Sequence, residues 1–200
     1  VSSSAASDVY KRQDLNDRSL RLSKINEKIG PFFNINDNKK LNKLGLYSKL
    51  DLCSNLVVEF PELQGTMLKY LAKLNGFSKD MQFAFEDQYK PVGLNKNLPR
   101  NKLGSILSVS NNIDTLSYFF AIGLIPTGSR DPFALRRSGN SLINVLWNES
   151  NTLSLNQLVN SLDEKLSKDV KLVNEIKIFL IDRLYNCLLY TSDAADDDTR

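Results

Sequence analysis

Apolar residues recur at helical spacing along almost the whole chain, and this pattern constrains the fold more than any other feature of the sequence. The first set lies at intervals of seven, three and four residues, at Leu15, Leu22, Ile25 and Ile29. Gly30-Pro31 follows and should end that helix. Apolar and polar residues do not alternate over any stretch long enough for a strand. The sequence therefore predicts an all-α fold.

Three further helices are expected in the first half of the chain. The second should bury Leu46, Leu50, Cys53 and Val57, which makes Cys53 an inert small hydrophobe. The third should bury Leu63, Met67, Tyr70, Leu71 and Leu74, and Asn75-Gly76 should end it. The fourth should begin after Ser78, a residue type that caps helices, and should carry Met81, Phe85 and Tyr89 on one face.

The middle of the chain predicts a long apolar helix between two loops. Residues 92–99 are rich in Gly, Asn, Lys and Pro, which favours a surface loop. The helix should run from about Leu103 to Ile122 and bury Ile106, Val109, Ile113, Leu116 and Phe120. After a second loop, Asp131-Pro132 is expected to open the next helix, because Asp can cap it and Pro fits its first position.

Domain organisation follows from composition. Residues 14–148 have the size of one domain, a polar break at residues 148–151 suggests a boundary, and residues 149–186 carry further amphipathic helices. Residues 3–13 and 187–196 read as the two strands of one transposase sequencing adapter in translation. We therefore expect residues 1–13 and 187–200 to be adapter-derived, disordered tails around an internal segment.

Charge and composition narrow the function. The chain carries a net charge of +3, to which the first tail contributes +1 and the last −3, leaving +5 for residues 14–186. A modest positive charge suits contact with nucleic acid without demanding it. The chain has no histidine, which rules out a Ser-His-Asp triad or a His-ligated metal site within it. Outside the tails Cys53 is the only cysteine, so a disulfide within that segment is excluded and a reducing cytoplasm is expected. The sequence also lacks an apolar stretch of the roughly 20 residues that a membrane span needs.

Two motifs resemble the glycyl-tRNA synthetase β subunit of bacteria. The first comprises residues 49–52 (KLDL) and 58–65 (VEFPELQG). The second comprises residues 114–116 (DTL) and 123–137 (GLIPTGSRDPFALRR). Both stand in the order that the family shows, and the resemblance extends more loosely over residues 14–186.

The resemblance implies a fold and a role. It implies an HD-type helical domain at residues 14–148, followed by helices that lead towards an anticodon-binding-like domain. It implies a segment of a glycine–tRNA ligase in which the α subunit forms the adenylate from ATP, with Mg, and glycine. Expected partners are that α subunit, a second β subunit and tRNA(Gly). In this segment we expect no catalytic residue, no bound cofactor, no metal and no membrane contact.

Arginines in the second motif are the best candidates for tRNA contact. Arg130, Arg136 and Arg137 lie beside a loop whose amides face solvent if the helix opens at Asp131. Pairing of an arginine with Asp131 or Glu149 is the structural alternative. A second basic cluster, expected to be weaker, consists of Lys90, Lys96, Arg100 and Lys102.

Metal chemistry is disfavoured by the residues themselves. A working HD site needs histidines and aspartates, whereas Asn111 stands where the family has Asp, and an amide brings no charge to a cation. Asp51 and Asp114 are expected to cap helices or to pair with Lys49 and its neighbours. Among the aromatic residues, Tyr118, Phe119, Phe120 and Trp147 are expected in the core, and Phe133 is the candidate for stacking on a base.

Two other function classes remain open at this point. One is a non-enzymatic helical RNA-binding or interaction module that shares the fold. The other is an HD-type metal phosphohydrolase, which the absence of histidine makes the weakest reading.

Overall fold

The computed structural model describes residues 15–93, 97–149 and 153–197, with side chains to Leu188. Over these residues no β-strand forms, and one isolated bridge joins Thr127 and Arg130, so the all-α prediction is confirmed. Three short 3-10 turns also occur, at Gly30–Phe33, Leu50–Cys53 and Pro61–Leu63. The α-helices are α1 (Leu15–Ile29), α2 (Asn38–Tyr47), α3 (Asn55–Glu59), α4 (Thr66–Leu74), α5 (Lys79–Asp87), α6 (Lys102–Ala121), α7 (Leu135–Asn148), α8 (Leu155–Asn160), α9 (Glu164–Ser167) and α10 (Val170–Asp197).

Helix α6 lies at the centre of the fold. All but three of its side chains between Leu103 and Phe120 are buried, because α1, α5, α7 and α10 pack around it. The predicted face of Ile106, Val109, Ile113, Leu116 and Phe120 is buried as expected. Most polar residues of α6 are buried too, and a buried polar group needs a partner. Ser108 donates to the backbone oxygen of Lys90, and Ser110 donates to Asn26 Oδ1.

Helices α1 and α2 touch backbone to backbone. A Cβ atom on Gly45 would lie 2.2 Å from the Ser23 nitrogen, so only glycine permits this approach. The prediction for α1 is confirmed, since Leu22, Ile25 and Ile29 are buried and the α-helix ends at Ile29.

The predicted second and third helices are only partly correct. Residues 46–57 form the end of α2, a 3-10 turn and the short α3 instead of one helix. As a result Leu50 and Cys53 are exposed, and the expected burial of Cys53 is wrong. Helix α4 has the predicted ending, with Gly76 at φ 72°. Its buried residues are Leu68 and Ala72, whereas Tyr70 and Leu74 are exposed.

The helices after residue 149 share the core of the helices before it. Leu158, Leu162, Leu172, Ile176 and Leu180 are buried in one hydrophobic cluster with the interior of α6 and α7. A Cβ atom on Gly139 of α7 would lie 2.8 Å from the ring of Phe179 in α10, which shows how closely these helices pack. The polar break therefore does not separate two cores.

Helix α10 continues to Asp197, so the expectation of disorder is wrong for residues 187–197. A helix that has already formed extends at low cost, and Ala194 and Ala195 are good helix formers. The expected first tail lies outside the described residues, and the adapter origin of both tails stays a prediction. In the described part of the chain, no helix is both long and apolar enough to cross a lipid bilayer.

Candidate nucleic-acid interface

The second motif begins with a buried ion pair. Asp114 of α6 is 2% exposed and accepts from Arg21 of α1, with Nε–Oδ1 at 2.8 Å and Nη2–Oδ2 at 3.3 Å. Arg18 lies 3.4 Å from Oδ2 and donates to the hydroxyl of Thr115 at 2.8 Å. Pairing of Asp114 was predicted, but its partners are arginines of α1. The Asp-Thr pair of the motif therefore joins α1 to α6.

The buried amine of Lys49 lies next to this ion pair. Its Nζ donates to Gln88 Oε1 at 2.8 Å and to the Tyr89 hydroxyl at 3.0 Å. Burial lowers the pKa of Lys49 well below its ordinary value. The charge of Arg18 lowers this pKa further, whereas Asp51 and Asp114 oppose the effect. The Lys49 amine is thus desolvated and held by two neutral groups, and its lowered pKa favours the uncharged form.

Asp51 holds the first motif together. Its Oδ2 accepts from the backbone nitrogen of Gly65 at 2.7 Å, and Gly65 has a φ of 80°, a conformation that favours glycine. This bond ties residues 49–52 to the turn that precedes α4. The prediction of a helix cap or of pairing with Lys49 is not met, because the bond of Asp51 goes to the Gly65 amide.

A polar cleft of about 530 Å³ opens above Lys49. Its described lining carries two guanidinium groups, those of Arg18 and Arg137, together with the amine of Lys49, and no carboxylate. The remaining polar lining consists of amide and hydroxyl groups, from Gln64, Gln88, Tyr89, Asn111, Asn112, Thr115, Ser138 and Ser141. Helices α1, α6 and α7 and the ends of α5 thus build one cationic cavity. Such a cavity favours an anionic ligand.

The second motif ends in a capped turn. Asp131 accepts from the backbone nitrogens of Leu135 at 2.7 Å and Arg136 at 2.9 Å. The expected capping by Asp131 is confirmed, but α7 begins at Leu135 and not at Pro132, because Ala134 adopts a left-handed conformation with φ 54°. The first amides of α7 are therefore occupied by a carboxylate. Any phosphate contact here must come from the arginine side chains.

Arg136 and Arg137 lie in the first turn of α7, and Arg130 lies in the loop before it. Arg130 is exposed, and Arg136 is half-buried, with Nη2 donating to the backbone oxygen of Gly128 at 2.6 Å. Arg137 is exposed on the rim of the cleft. Among the described residues its guanidinium has no ion pair or hydrogen bond. The alternative that it pairs with Asp131 or Glu149 is not observed, since Glu149 accepts from Ser105.

Part of the second predicted basic cluster is bound to carboxylates of the protein itself. Arg100 binds Asp87 through Nε at 2.7 Å and Nη2 at 2.8 Å, and also pairs with Glu86. Arg100 is therefore held in a structural network at the end of α5. Lys102 is exposed at the start of α6, and Lys96 lies outside the described residues.

The residues of this region offer no metal-ligand set. Within the described ranges, no three His, Cys, Asp or Glu side chains converge. Asp51 and Asp114 are bonded to a backbone amide and to arginines, and Asn111 donates to Gln88 at 3.0 Å. An HD-type phosphohydrolase would need these positions for a metal, so that alternative has no support from the geometry. The HD-type name for the fold stays a prediction.

The aromatic residues agree with the prediction in part, since Phe119 and Phe120 are buried as expected. Phe133 packs against Phe119, with ring centroids 4.6 Å apart, and its stacking on a base stays a prediction. Trp147 is 61% exposed and does not belong to the core. Tyr118 is half-buried and donates to Asp163, while the guanidinium of Arg21 lies 3.9 Å from its ring centre.

Sequence reasoning missed several residues of the cleft. Gln88 and Tyr89 follow α5 and carry no motif, and Arg18 shows only as one charge on an amphipathic helix. Lys49 was noticed as a partner for a carboxylate and not as a buried amine. Its place in the first motif was the one available signal.

These features define a class of protein. It is an all-α domain with a polar, cationic cleft, in which ion pairs and amide side chains stand where an HD-type enzyme would have metal ligands. Comparison with known proteins is specific. The sequence profile described as "Glycyl-tRNA synthetase beta subunit" matches residues 13–197. Among curated proteins, the chain is 38% identical over 175 residues to a "Glycine--tRNA ligase beta subunit" of Thermodesulfovibrio yellowstonii, covering 87% of this chain and 25% of that protein.

Other relatives carry the same name. The protein of Pseudomonas syringae pv. tomato is 36% identical, with 84% of this chain and 25% of the relative covered. That of Halothermothrix orenii is 37% identical, with 86% and 26% covered. The chain belongs to the glycyl-tRNA synthetase β subunit family and spans about a quarter of the length of these relatives.

Proposed function

We propose that this chain is a tRNA-binding and scaffolding segment of the β subunit of a two-subunit glycine–tRNA ligase in the cytoplasm. The α subunit would form the glycyl adenylate from ATP, with Mg, and glycine. A second β subunit would complete the assembly. The segment itself would hold tRNA(Gly) in place, so its contribution to the rate would come from orientation and not from proton or group transfer.

One observation carries the proposal. Arg130, Arg136 and Arg137 lie within eight residues of one another, and Arg137 has an unengaged guanidinium on the surface of the described structure. Arginine binds phosphate through two parallel hydrogen bonds, which makes it well suited to an RNA backbone. The bond from Arg136 to Gly128 holds that side chain against the motif loop. Together these charges support contact with the phosphates of an RNA backbone.

Salt dependence tests the proposal. We expect the affinity of the chain for tRNA to fall steeply as salt rises, because phosphate neutralisation releases counterions. Arg137→Ala should lower the slope of log K against log salt by about one and should leave the melting temperature unchanged. Lys165→Ala, which removes an exposed charge in α9, is the matched control and should bind as the parent does.

The opposite results are equally clear. Binding that does not respond to salt, or an equal loss in both variants, would contradict a phosphate contact at the arginine surface. A large fall in melting temperature for Arg137→Ala would assign this residue a structural role instead.

A further inference from the structure

The cleft contains an amide whose orientation is fixed by its neighbours. Gln88 Nε2 donates to the backbone oxygens of Ser48 at 3.0 Å and Phe85 at 2.9 Å, which turns its Oε1 towards Lys49 and Asn111. Oε1 then accepts from Lys49 at 2.8 Å and from Asn111 Nδ2 at 3.0 Å. The network therefore settles which end of the Asn111 amide is nitrogen.

This arrangement leaves one buried acceptor without a donor. Asn111 lines the cleft and is 6% exposed, and its Oδ1 has no hydrogen-bond partner in the described structure. A buried acceptor in this state has lost its hydration without gaining a donor, so such groups usually have a ligand, a water or a functional role. A hydroxyl or N–H group of a bound molecule would satisfy it.

The charges of the cleft point to the other half of that molecule. Of the nearby carboxylates, Asp114 binds Arg21, and one oxygen of Asp51 binds the Gly65 amide. On the cleft side this leaves the guanidinium of Arg137 to attract an anion and the amine of Lys49 to donate a hydrogen bond to it. A volume of about 530 Å³ lies in the range of small-molecule sites.

We propose that this cleft binds a nucleotide, with the phosphate at Arg137 and Lys49 and a sugar or base donor at Asn111 Oδ1. Phosphate, ribose hydroxyl and base N–H groups supply the anion and the donor in one ligand. The nucleotide has two possible sources, an unpaired residue of an RNA strand or a free nucleotide. Binding of a residue of an RNA strand rests on the proposed function, whereas binding of a free nucleotide is independent of it.

A single added charge tests the cleft without disturbing the fold. Ser138 lines the cleft in the first turn of α7, where a carboxylate is favourable to the helix. Ser138→Asp therefore places a negative charge beside the expected phosphate. Ser154→Asp is the matched control, because Ser154 is the exposed N-cap of α8, and aspartate also caps helices.

The experiment is a calorimetric titration of the 200-residue chain with adenosine monophosphate, inorganic phosphate and a short single-stranded RNA. We expect binding of the mononucleotide, the RNA or both, weakened roughly tenfold or more by Ser138→Asp and unchanged within about twofold by Ser154→Asp. Lys49→Met should also weaken binding, and its melting curve shows whether the fold persists. Inorganic phosphate should bind more weakly, because it lacks the donor for Asn111.

Each outcome separates the possibilities. Binding of the mononucleotide alone identifies a free ligand, and binding of the RNA alone identifies a strand residue. The proposal is overturned if neither binds, or if Ser138→Asp binds as well as the parent. Arg130 and Arg136 do not line the cleft. Their replacement by alanine should therefore weaken the binding of tRNA and leave the binding of adenosine monophosphate unchanged. If tRNA fails to bind while adenosine monophosphate binds, the proposed function fails and the nucleotide site stands.

Discussion

The Asp114 ion pair makes the sharpest prediction about stability. Asp114→Asn keeps the shape of the side chain and removes its charge from a site that is 2% exposed. Arg21 and Arg18 would then remain close to an uncharged amide. At an effective dielectric constant of 20, two unit charges 4 Å apart attract by about 4 kcal/mol, and desolvation offsets part of this. Removal of one partner from a buried pair typically costs about 3–5 kcal/mol, which we expect here.

Urea denaturation measures this cost. With a denaturant slope of about 2–3 kcal/mol per molar, the midpoint should fall by about 1–2.5 M. Asp182→Asn is the matched control, since Asp182 is an exposed carboxylate paired with Arg183 in α10, and its removal should change stability by less than about 0.5 kcal/mol.

A double-mutant cycle isolates the pair. Asp114→Asn combined with Arg21→Ala should be less destabilising than the sum of the two single changes, with a coupling of about 0.5–3 kcal/mol. A cost below about 1 kcal/mol for Asp114→Asn, or additive effects in the cycle, would refute the view that this pair joins α1 to α6.

Two further predictions concern pH and packing. For Asp87, burial acts to raise the pKa, but the hydrogen bonds and charges of Arg100 and Lys90 outweigh it and hold the pKa below its ordinary value. The charged carboxylate therefore stabilises the fold above the unfolded pKa of about 3.9, and this stabilisation is lost as pH falls through the folded pKa. Asp87→Asn should accordingly lose less stability than the parent between about pH 5 and 2. Urea denaturation midpoints that fall in parallel for the two proteins over this range would contradict this. Gly45→Ala should destabilise the chain by about 3 kcal/mol or more, because the new Cβ would lie 2.2 Å from a backbone atom of α1. Gly139→Ala should cost less, because its Cβ would meet side chains, which can move. Thermal melts that rank the two variants in the opposite order would refute this.

The sequence by itself determined the elements that depend on local spacing. The period of the apolar residues set the limits and the buried face of α6, and Ser78 and Gly76 marked helix ends through their own chemistry. The resemblance to the glycyl-tRNA synthetase β subunit family was also visible in the sequence, because the motif of residues 123–137 is contiguous. The apolar spacing was misleading at residues 46–57. It predicted one continuous helix there, whereas the chain forms the end of α2, a 3-10 turn and the start of α3.

The tertiary structure alone decided the cleft and its charges. Arg21 and Asp114 are separated by 93 positions, and Lys49 and Gln88 by 39, so no local pattern could pair them. The same holds for the exposure of Trp147 and Cys53, which depends on whether another helix covers them. Spacing along the chain fixes which face of a helix is apolar. Only the packing of distant helices fixes which polar groups become buried, and therefore which of them bind one another and which remain open to a ligand.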